Sequence, residues 1–167
     1  QLYTVRKSNA SLGVNKLSGY FQDNMSFGNS SDFILQGGIR FNYNALSHQL
    51  LFSPRLQMSW IADRENDWVL KLSAGSYDQP PFYRELRRYD GSVNTDVKAQ
   101  RSWQAVAGAD HNFLLWHRPS RVTIEAYYKY LSMVDPYDMD NVRIRYYGEN
   151  NAKAYATGLE VRLFSEL

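Results

Sequence analysis

A short segment rich in arginine and aromatic residues has the chemistry of a ligand-binding loop. From 79 to 89 the chain reads QPPFYRELRRY. Its two prolines restrict the backbone, guanidinium groups bind carboxylates and phosphates through paired hydrogen bonds, and aromatic rings offer flat apolar surfaces for stacking. We therefore predict a loop that binds an acidic compound or a sugar through Gln79, Tyr83, Arg84, Arg87 and Arg88. The alternative is an ordered loop that only packs over its surroundings.

A second set of ionisable residues recurs inside segments that alternate between apolar and polar residues. If these segments are extended, their charged side chains share the polar side and would line a hydrated interior. Cross-strand ion pairs in such an interior are worth only about 0.2–1 kcal/mol each, so a purely structural role is the simpler explanation for any one of them. The predicted interior-facing residues are Arg40, Arg55, Lys71, Glu125, Lys129, Glu160 and Arg162.

The acidic residues between 135 and 141 could offer oxygen ligands to calcium. Asp135, Asp138, Asp140 and Asn141 lie close together in the sequence, but they lack the central glycine and the distal glutamate of an EF-hand loop. We therefore expect a solvated acidic loop there.

Other catalytic and metal-binding patterns are missing. His48, His111 and His117 do not have metal-ligand spacing, and no nucleophile, base and orienting group can be assembled from the sequence. The chain has no cysteine, which excludes disulfides and thiolate sites, and it has no glycine-rich phosphate-binding loop. The sequence predicts a protein that is not an enzyme and that has no metal site and no cofactor.

The elements that must position these residues are long β-strands. In the segment 33–43, five apolar residues fall on one face of an extended strand and three polar residues on the other; the apolar ones are Phe33, Leu35, Ile39, Phe41 and Tyr43. A strand of about ten residues with one apolar and one polar side fits a transmembrane β-barrel, with lipid outside and a polar lumen inside.

The same alternation predicts an antiparallel up-and-down meander of about eight or nine long strands in an all-β fold. The predicted strands are 2–7, 16–25, 32–44, 49–62, 68–77, 100–113, 121–131, 142–147 and 154–164. From 63 onward the connections alternate short and long. Since bacterial barrels have short periplasmic turns and long extracellular loops, we predict that 63–67 and 114–120 are periplasmic and that 78–98 and 133–152 are extracellular.

Composition agrees with a membrane barrel and argues against other classes. The mean hydropathy of −0.53 and the lack of any run of about 18 apolar residues argue against transmembrane helices. They do not argue against a barrel, because strict alternation averages to a polar value. The 13 tyrosines and 4 tryptophans suit a membrane–water interface. The net charge of +2, spread along the chain, gives no reason to expect a nucleic-acid partner.

Several motifs together resemble TonB-dependent outer-membrane receptors, in a form similar to those of Bacteroidota. The motifs occur in the same order as in those receptors and span most of the chain: SGYFQD at 18–23, GGIRF at 37–41, SPRL at 53–56, QPPFYREL at 79–86, EAYYKY at 125–130 and ATGLE at 156–160. None of these motifs is decisive alone.

The resemblance implies a barrel of about 22 strands, closed by a plug domain, that imports a siderophore, vitamin or glycan with energy from the TonB complex. The chain shows no signal peptide, plug or TonB-contacting segment, so we expect residues 1–167 to be a partial receptor barrel in the cell outer membrane. Its expected partners are lipid, the missing plug and strands, the TonB complex and a small-molecule or glycan ligand. The alternatives are a complete small outer-membrane barrel with a structural or enzymatic role, and a soluble all-β binding module.

Overall fold

The computed structural model describes residues 13–28, 32–63, 65, 67–88, 92–140 and 143–165, and within them the fold is all-β. None of these residues forms a helix long and apolar enough to span a membrane. The predicted strand at 2–7 lies outside the described residues. The described strands are β1 Lys16–Phe27, β2 Phe33–Asn44, β3 Gln49–Asp63, β4 Trp68–Gln79, β5 Gln100–Leu115, β6 Arg118–Val134, β7 Tyr137–Asp140, β8 Arg143–Tyr146 and β9 Ala152–Ser165.

Seven strands form one sheet in the order β1-β2-β3-β4-β5-β6-β9, and β7 and β8 form a separate two-stranded ribbon. Every neighbouring pair in both sheets is antiparallel. The predicted antiparallel meander is therefore confirmed. The strands of the large sheet are 12 to 17 residues long, well above the typical five or six.

One connection is much shorter than the sequence indicated. The predicted turn at 114–120 is a reversal by Trp116 and His117 alone, and both residues have positive φ angles of 51° and 65°. Two consecutive left-handed residues reverse the chain with a twist that matches the flanking strands. Hydrogen-bonded pairing therefore continues as far as Leu115 and Arg118, even though Pro119 lies in the strand.

The register of the sheet separates an apolar face from a polar face. Apolar residues stand opposite one another across neighbouring strands: Ile39 pairs with Pro54, and Met58 pairs with Leu72. This apolar face is open: Phe21 is 70% exposed, Leu72 53% and Leu159 71%. Within the described residues, no second layer covers it. Asp23, opposite Gly37, is an exception to its apolar character.

Aromatic rings stack on the apolar face near one end of the strands. The Phe33 and Trp60 rings lie 5.4 Å apart, and the His111 ring lies between Trp68 at 4.4 Å and Phe113 at 5.5 Å. These residues are close to the connections after β1, β3 and β5. Such a band fits the interface between the hydrocarbon core and water.

The two ends of the sheet differ. The loop end carries the long connections 80–99 and 135–151 and the turn at 45–48, whereas the turn end carries only the short connections after β1, β3 and β5. At the loop end, the described residues of 80–99 and 135–151 form what we call the loop layer. Leu86, Val97 and Ala99 are buried in this layer.

Candidate functional site

A concave cavity lies on the polar face of β1 to β4, and we call it the polar groove. Its volume is about 690 Å³, within the range of small-molecule sites. Alternation places every second side chain of these four strands toward it. By alternation, ten of the residues that line it belong to the polar face: Ser18, Tyr20, Gln22, Gln36, Gly38, Arg40, Arg55, Gln57, Ser73 and Tyr77. Gly19, Phe21, Ile39 and Leu56, which alternation assigns to the apolar face, border the cavity as their chain neighbours. Two of the lining residues are cationic and none is acidic.

The two arginines of the polar groove are neighbours. Arg40 stands opposite Ser53 and Arg55 opposite Gly38, so the arginines are diagonal partners on β2 and β3, a relation that places Cα atoms about 7–8 Å apart. Among the described residues, neither forms an ion pair with a carboxylate. Arg40 donates from Nε to Asn42 Oδ1 at 3.3 Å, and the Arg55 guanidinium lies 4.7 Å from the centre of the Tyr77 ring.

A second cavity of about 360 Å³ continues the polar groove toward the loop end. It shares Ser18, Arg40, Arg55 and Tyr77 with the first, and it adds Lys16 and Asp78. The Asp78 carboxylate accepts two hydrogen bonds from Arg101 at 2.7 and 3.2 Å and one from Ser53 Oγ at 3.4 Å. Because that carboxylate is buried and already paired with Arg101, it does not neutralise the groove arginines.

The polar face of β4 to β9 has a different electrostatic character. Lys71 is paired with Asp110, and Arg162 is paired with both Glu125 and Glu160. Lys129 stands between Gln104 and Ala156. The predicted interior-facing residues thus share one face by register, but the ones on β4 to β9 are mostly held in ion pairs whereas Arg40 and Arg55 are not.

The structure separates the predicted ligand-binding residues of the loop from the polar groove lining. Gln79 pairs with Gln100 at the end of β4, and Tyr83, Arg84 and Arg87 are exposed in the loop. Arg88 is engaged within the loop layer: its Nη2 donates to Asn94 Oδ1 at 3.0 Å and lies 3.9 Å from Asp96 Oδ2.

Glu85, between these loop residues, is buried and supports the loop. Its Oε2 accepts from the Phe82 N–H at 3.0 Å, and its Oε1 accepts from Gln100 Nε2 at 3.4 Å. Burial raises the pKa of Glu85; the Phe82 N–H opposes this, and the negative charge of Asp135 adds to it. The carboxylate is therefore a structural element of the loop layer.

The acidic loop is organised by hydrogen bonds to its own backbone. Asp135 is 1% exposed, and its Oδ1 accepts from the N–H groups of Gly148 at 2.6 Å and Glu149 at 3.1 Å. Asp138 Oδ1 accepts from the next N–H in the chain, at Met139. Asn141 lies outside the described residues. Among the residues that the structure does describe, no three His, Cys, Asp or Glu side chains form a cluster that could hold a metal.

The two long connections are joined by Asn150. Its Oδ1 accepts from the Lys98 N–H at 2.7 Å, while its Nδ2 donates to the carbonyl groups of Lys98 at 3.0 Å and Met133 at 2.9 Å. Gln49 Oε1 accepts from the Ala99 N–H at 2.9 Å, which ties the loop layer to β3. These contacts have no local signature in the sequence, because they join residues 17 to 52 positions apart.

Sequence reasoning selected Arg40 and Arg55 but not the uncharged residues that surround them. Tyr20, Gln22, Gln57 and Tyr77 line the polar groove with them. The signal was available, because these residues share the polar side of their strands; only the charged members had been singled out.

Comparison with known proteins gives one result for the family. A family model described as TonB dependent receptor-like, beta-barrel matches residues 2–166. No curated protein matches the chain.

Proposed function

Because the chain belongs to the TonB-dependent receptor β-barrel family, we propose that it is a segment of an outer-membrane receptor barrel that imports a nutrient ligand. Outer-membrane location and a role in transport follow from the family. The identity of the ligand as a siderophore, vitamin or glycan, and the assignment of residues 1–167 to a partial barrel, are parts of the proposal.

The observation that supports this proposal best is the open apolar face. Apolar side chains on seven long strands remain exposed on one side of the sheet, whereas a soluble module must bury such a face against a second layer. Lipid is the natural cover for this surface. On the opposite side, the charged and amide side chains suit a hydrated lumen.

The free edges of the sheet support a larger barrel. In the described sheet β1 and β9 are the two edge strands, and unpaired backbone groups are unfavourable in lipid. We infer that further receptor strands pair with these edges and that a plug domain occupies the enclosed lumen. The loop end, which carries the long connections, then faces the outside of the cell, and the turn end faces the periplasm.

In this mechanism ligand is captured outside, near the loop layer. The exposed Tyr83, Arg84 and Arg87 would make first contact with it, with Gln79 and Arg88 beside them. The plug, driven through the TonB complex, would then rearrange and open a path along the polar face. Arg40, Arg55, Lys71, Glu125, Lys129 and Arg162 would line that path. No arrangement of catalytic groups is part of this proposal.

Single-cysteine labelling tests the location of the two faces, and the absence of native cysteine from this chain favours it. We would place L56C on the apolar face and Q57C on the polar face of the intact receptor, with any other cysteines replaced. In outer membranes we expect the fluorescence of a dye attached to L56C to be quenched by lipid-dissolved nitroxide. We expect Q57C to react with a water-soluble maleimide. If both cysteines react equally with the water-soluble reagent, the barrel proposal is wrong.

A further inference from the structure

The polar groove combines two neighbouring cations with an uncharged lining. The pairing register surrounds Arg40 with Tyr20 and Ser53, and it surrounds Arg55 with Gly38 and Gly75. Among the residues that the structure describes, no acidic side chain lines the 690 Å³ cavity. In the adjoining cavity the Asp78 carboxylate is already occupied by Arg101. Two like charges held close together without a local counter-charge favour the approach of an anion.

From this arrangement we propose that the polar groove is a binding site for a small carboxylate- or phosphate-bearing solute. The inference rests on the proposed function, since it identifies the polar face as the wall of the transport path. Guanidinium groups present planar pairs of N–H donors that match carboxylate and phosphate oxygens. The two arginines would hold the anionic group of the solute.

The rest of the lining supplies matching, uncharged contacts. Tyr77 fixes one face of the Arg55 guanidinium at 4.7 Å from its ring centre, which leaves the N–H edge of that group for a ligand. Gln22, Gln36 and Gln57 carry both donors and acceptors, suited to hydroxyl or carbonyl groups of the solute. A cationic solute would be repelled, and a neutral one would leave the arginines without a counter-charge.

The glycines on either side of Arg55 keep the site open. A Cβ atom at Gly75 would lie 3.2 Å from Arg55 Cγ, and one at Gly38 would lie 3.5 Å from Gln22 Cβ. A side chain at either position would fill space beside the guanidinium. The absence of side chains there leaves room for a ligand of moderate size above the middle of the strands.

Calorimetric titration of the intact receptor in detergent at low salt tests this site. The probes are citrate for the carboxylate class, inorganic pyrophosphate for the phosphate class and trehalose as a neutral control. We expect at least one of the two anions to bind and trehalose not to bind. R40Q and R55Q should each weaken anion binding about tenfold, as expected for loss of one charge-assisted hydrogen-bonded contact.

Matched variants separate a defined site from a general attraction and from misfolding. K153Q removes one exposed positive charge from β9, outside both cavities, and should leave anion affinity within twofold of the wild type. R40K and R55K keep the charge and should bind with intermediate affinity, because lysine lacks the planar fork. Folding of every variant is checked by the heat-dependent gel mobility of outer-membrane barrels.

Several results would overturn the anion site. They are no binding of either anion by the wild type, wild-type affinity in R40Q and R55Q, an equal loss in K153Q, or binding that appears only when the plug is removed. In the last case the two arginines would be contacted by the plug in the intact receptor. If the L56C receptor still shows lipid quenching in outer membranes, the receptor barrel stands and only the anion site falls.

Discussion

The polar groove and the loop layer both carry arginines, amides and aromatic rings, but they use them differently. In the loop layer, Glu85 and Asp135 are buried and bonded to backbone N–H groups, and Arg88 is bonded to Asn94. In the polar groove, Arg40 and Arg55 face a cavity and have no carboxylate partner among the described residues. A basic cluster in a sequence therefore does not by itself show which cations the fold leaves without counter-charges.

Truncation of the buried core should give the largest contrast between the two regions. Leu86 is 1% exposed in the loop layer, and Leu86→Ala should destabilise that layer by about 2–5 kcal/mol through lost burial and a cavity. We would measure hydrogen exchange of residues 80–99 in the intact receptor. Tyr20→Ala in the polar groove, where the side chain is 80% exposed, is the control and should leave exchange unchanged. If residues 80–99 are equally protected from hydrogen exchange in both variants, the loop layer has no core of its own.

Matched glycine substitutions should give the next largest difference. Gly148 has a φ of +74°, and an added Cβ would lie 2.7 Å from Asn94 Nδ2, so Gly148→Ala should destabilise the loop layer by roughly 1–2 kcal/mol. At Gly38 an added Cβ would lie 3.2 Å from the Phe21 carbonyl oxygen, which strand adjustment can relieve. Limited proteolysis should therefore cut the loops faster only in the Gly148 variant, and faster loop cleavage in Gly38→Ala would contradict the distinction.

A pH dependence should distinguish the loop layer from the polar groove. Burial raises the pKa of Glu85 above its ordinary value of 4.5, so the folded carboxyl holds its proton more tightly than the unfolded one. Its contribution to stability is full below the ordinary pKa and is lost as pH rises through the raised value, with a slope of at most about 1.4 kcal/mol per pH unit. Hydrogen exchange of 80–99 across this range should show the loss, and Glu85→Gln should remove it. Unchanged pH dependence in that variant would assign the effect to another group.

The smallest effect on stability is expected in the polar groove itself. Arg55 is exposed and contacts the Tyr77 ring, and it forms no ion pair with any carboxylate that the structure describes. Arg55→Gln should therefore change the free energy of unfolding by no more than about 0.5 kcal/mol. Denaturant unfolding of the receptor in detergent would measure this. A large loss of stability would mean that Arg55 is structural, and it would remove the contrast with the loop layer.

The strands were predictable because their signal is local. In segments such as 33–44 and 49–63, apolar and polar residues largely alternate. Because successive side chains of a strand point to opposite faces, the position of a residue along the strand decides its face. The β5–β6 turn was predicted too long because its two residues, Trp116 and His117, are not typical of left-handed turns. The short strand β7 was not predicted, since its four residues are too few to show a period.

The candidate site was only partly predictable from the sequence. The alternation of apolar and polar residues placed Arg40, Arg55, Lys71 and Arg162 on one face, but it did not distinguish among them. The distinction depends on register: Glu125 reaches Arg162 across 37 positions and Asp110 reaches Lys71 across 39. Long-range pairing of this kind has no local signature.

The sequence by itself determined the long strands and the separation of an apolar from a polar face, because both depend on residue types at short, regular spacing. It also indicated the family, through motifs that resemble those of known receptors. The tertiary structure alone decided which cations found acidic partners, which glycines stand beside Arg55, and how Asn150 and Gln49 hold the loop layer in place. The physical reason is that chain neighbours fix the direction of a side chain, whereas its electrostatic surroundings are fixed by strands that come together only on folding.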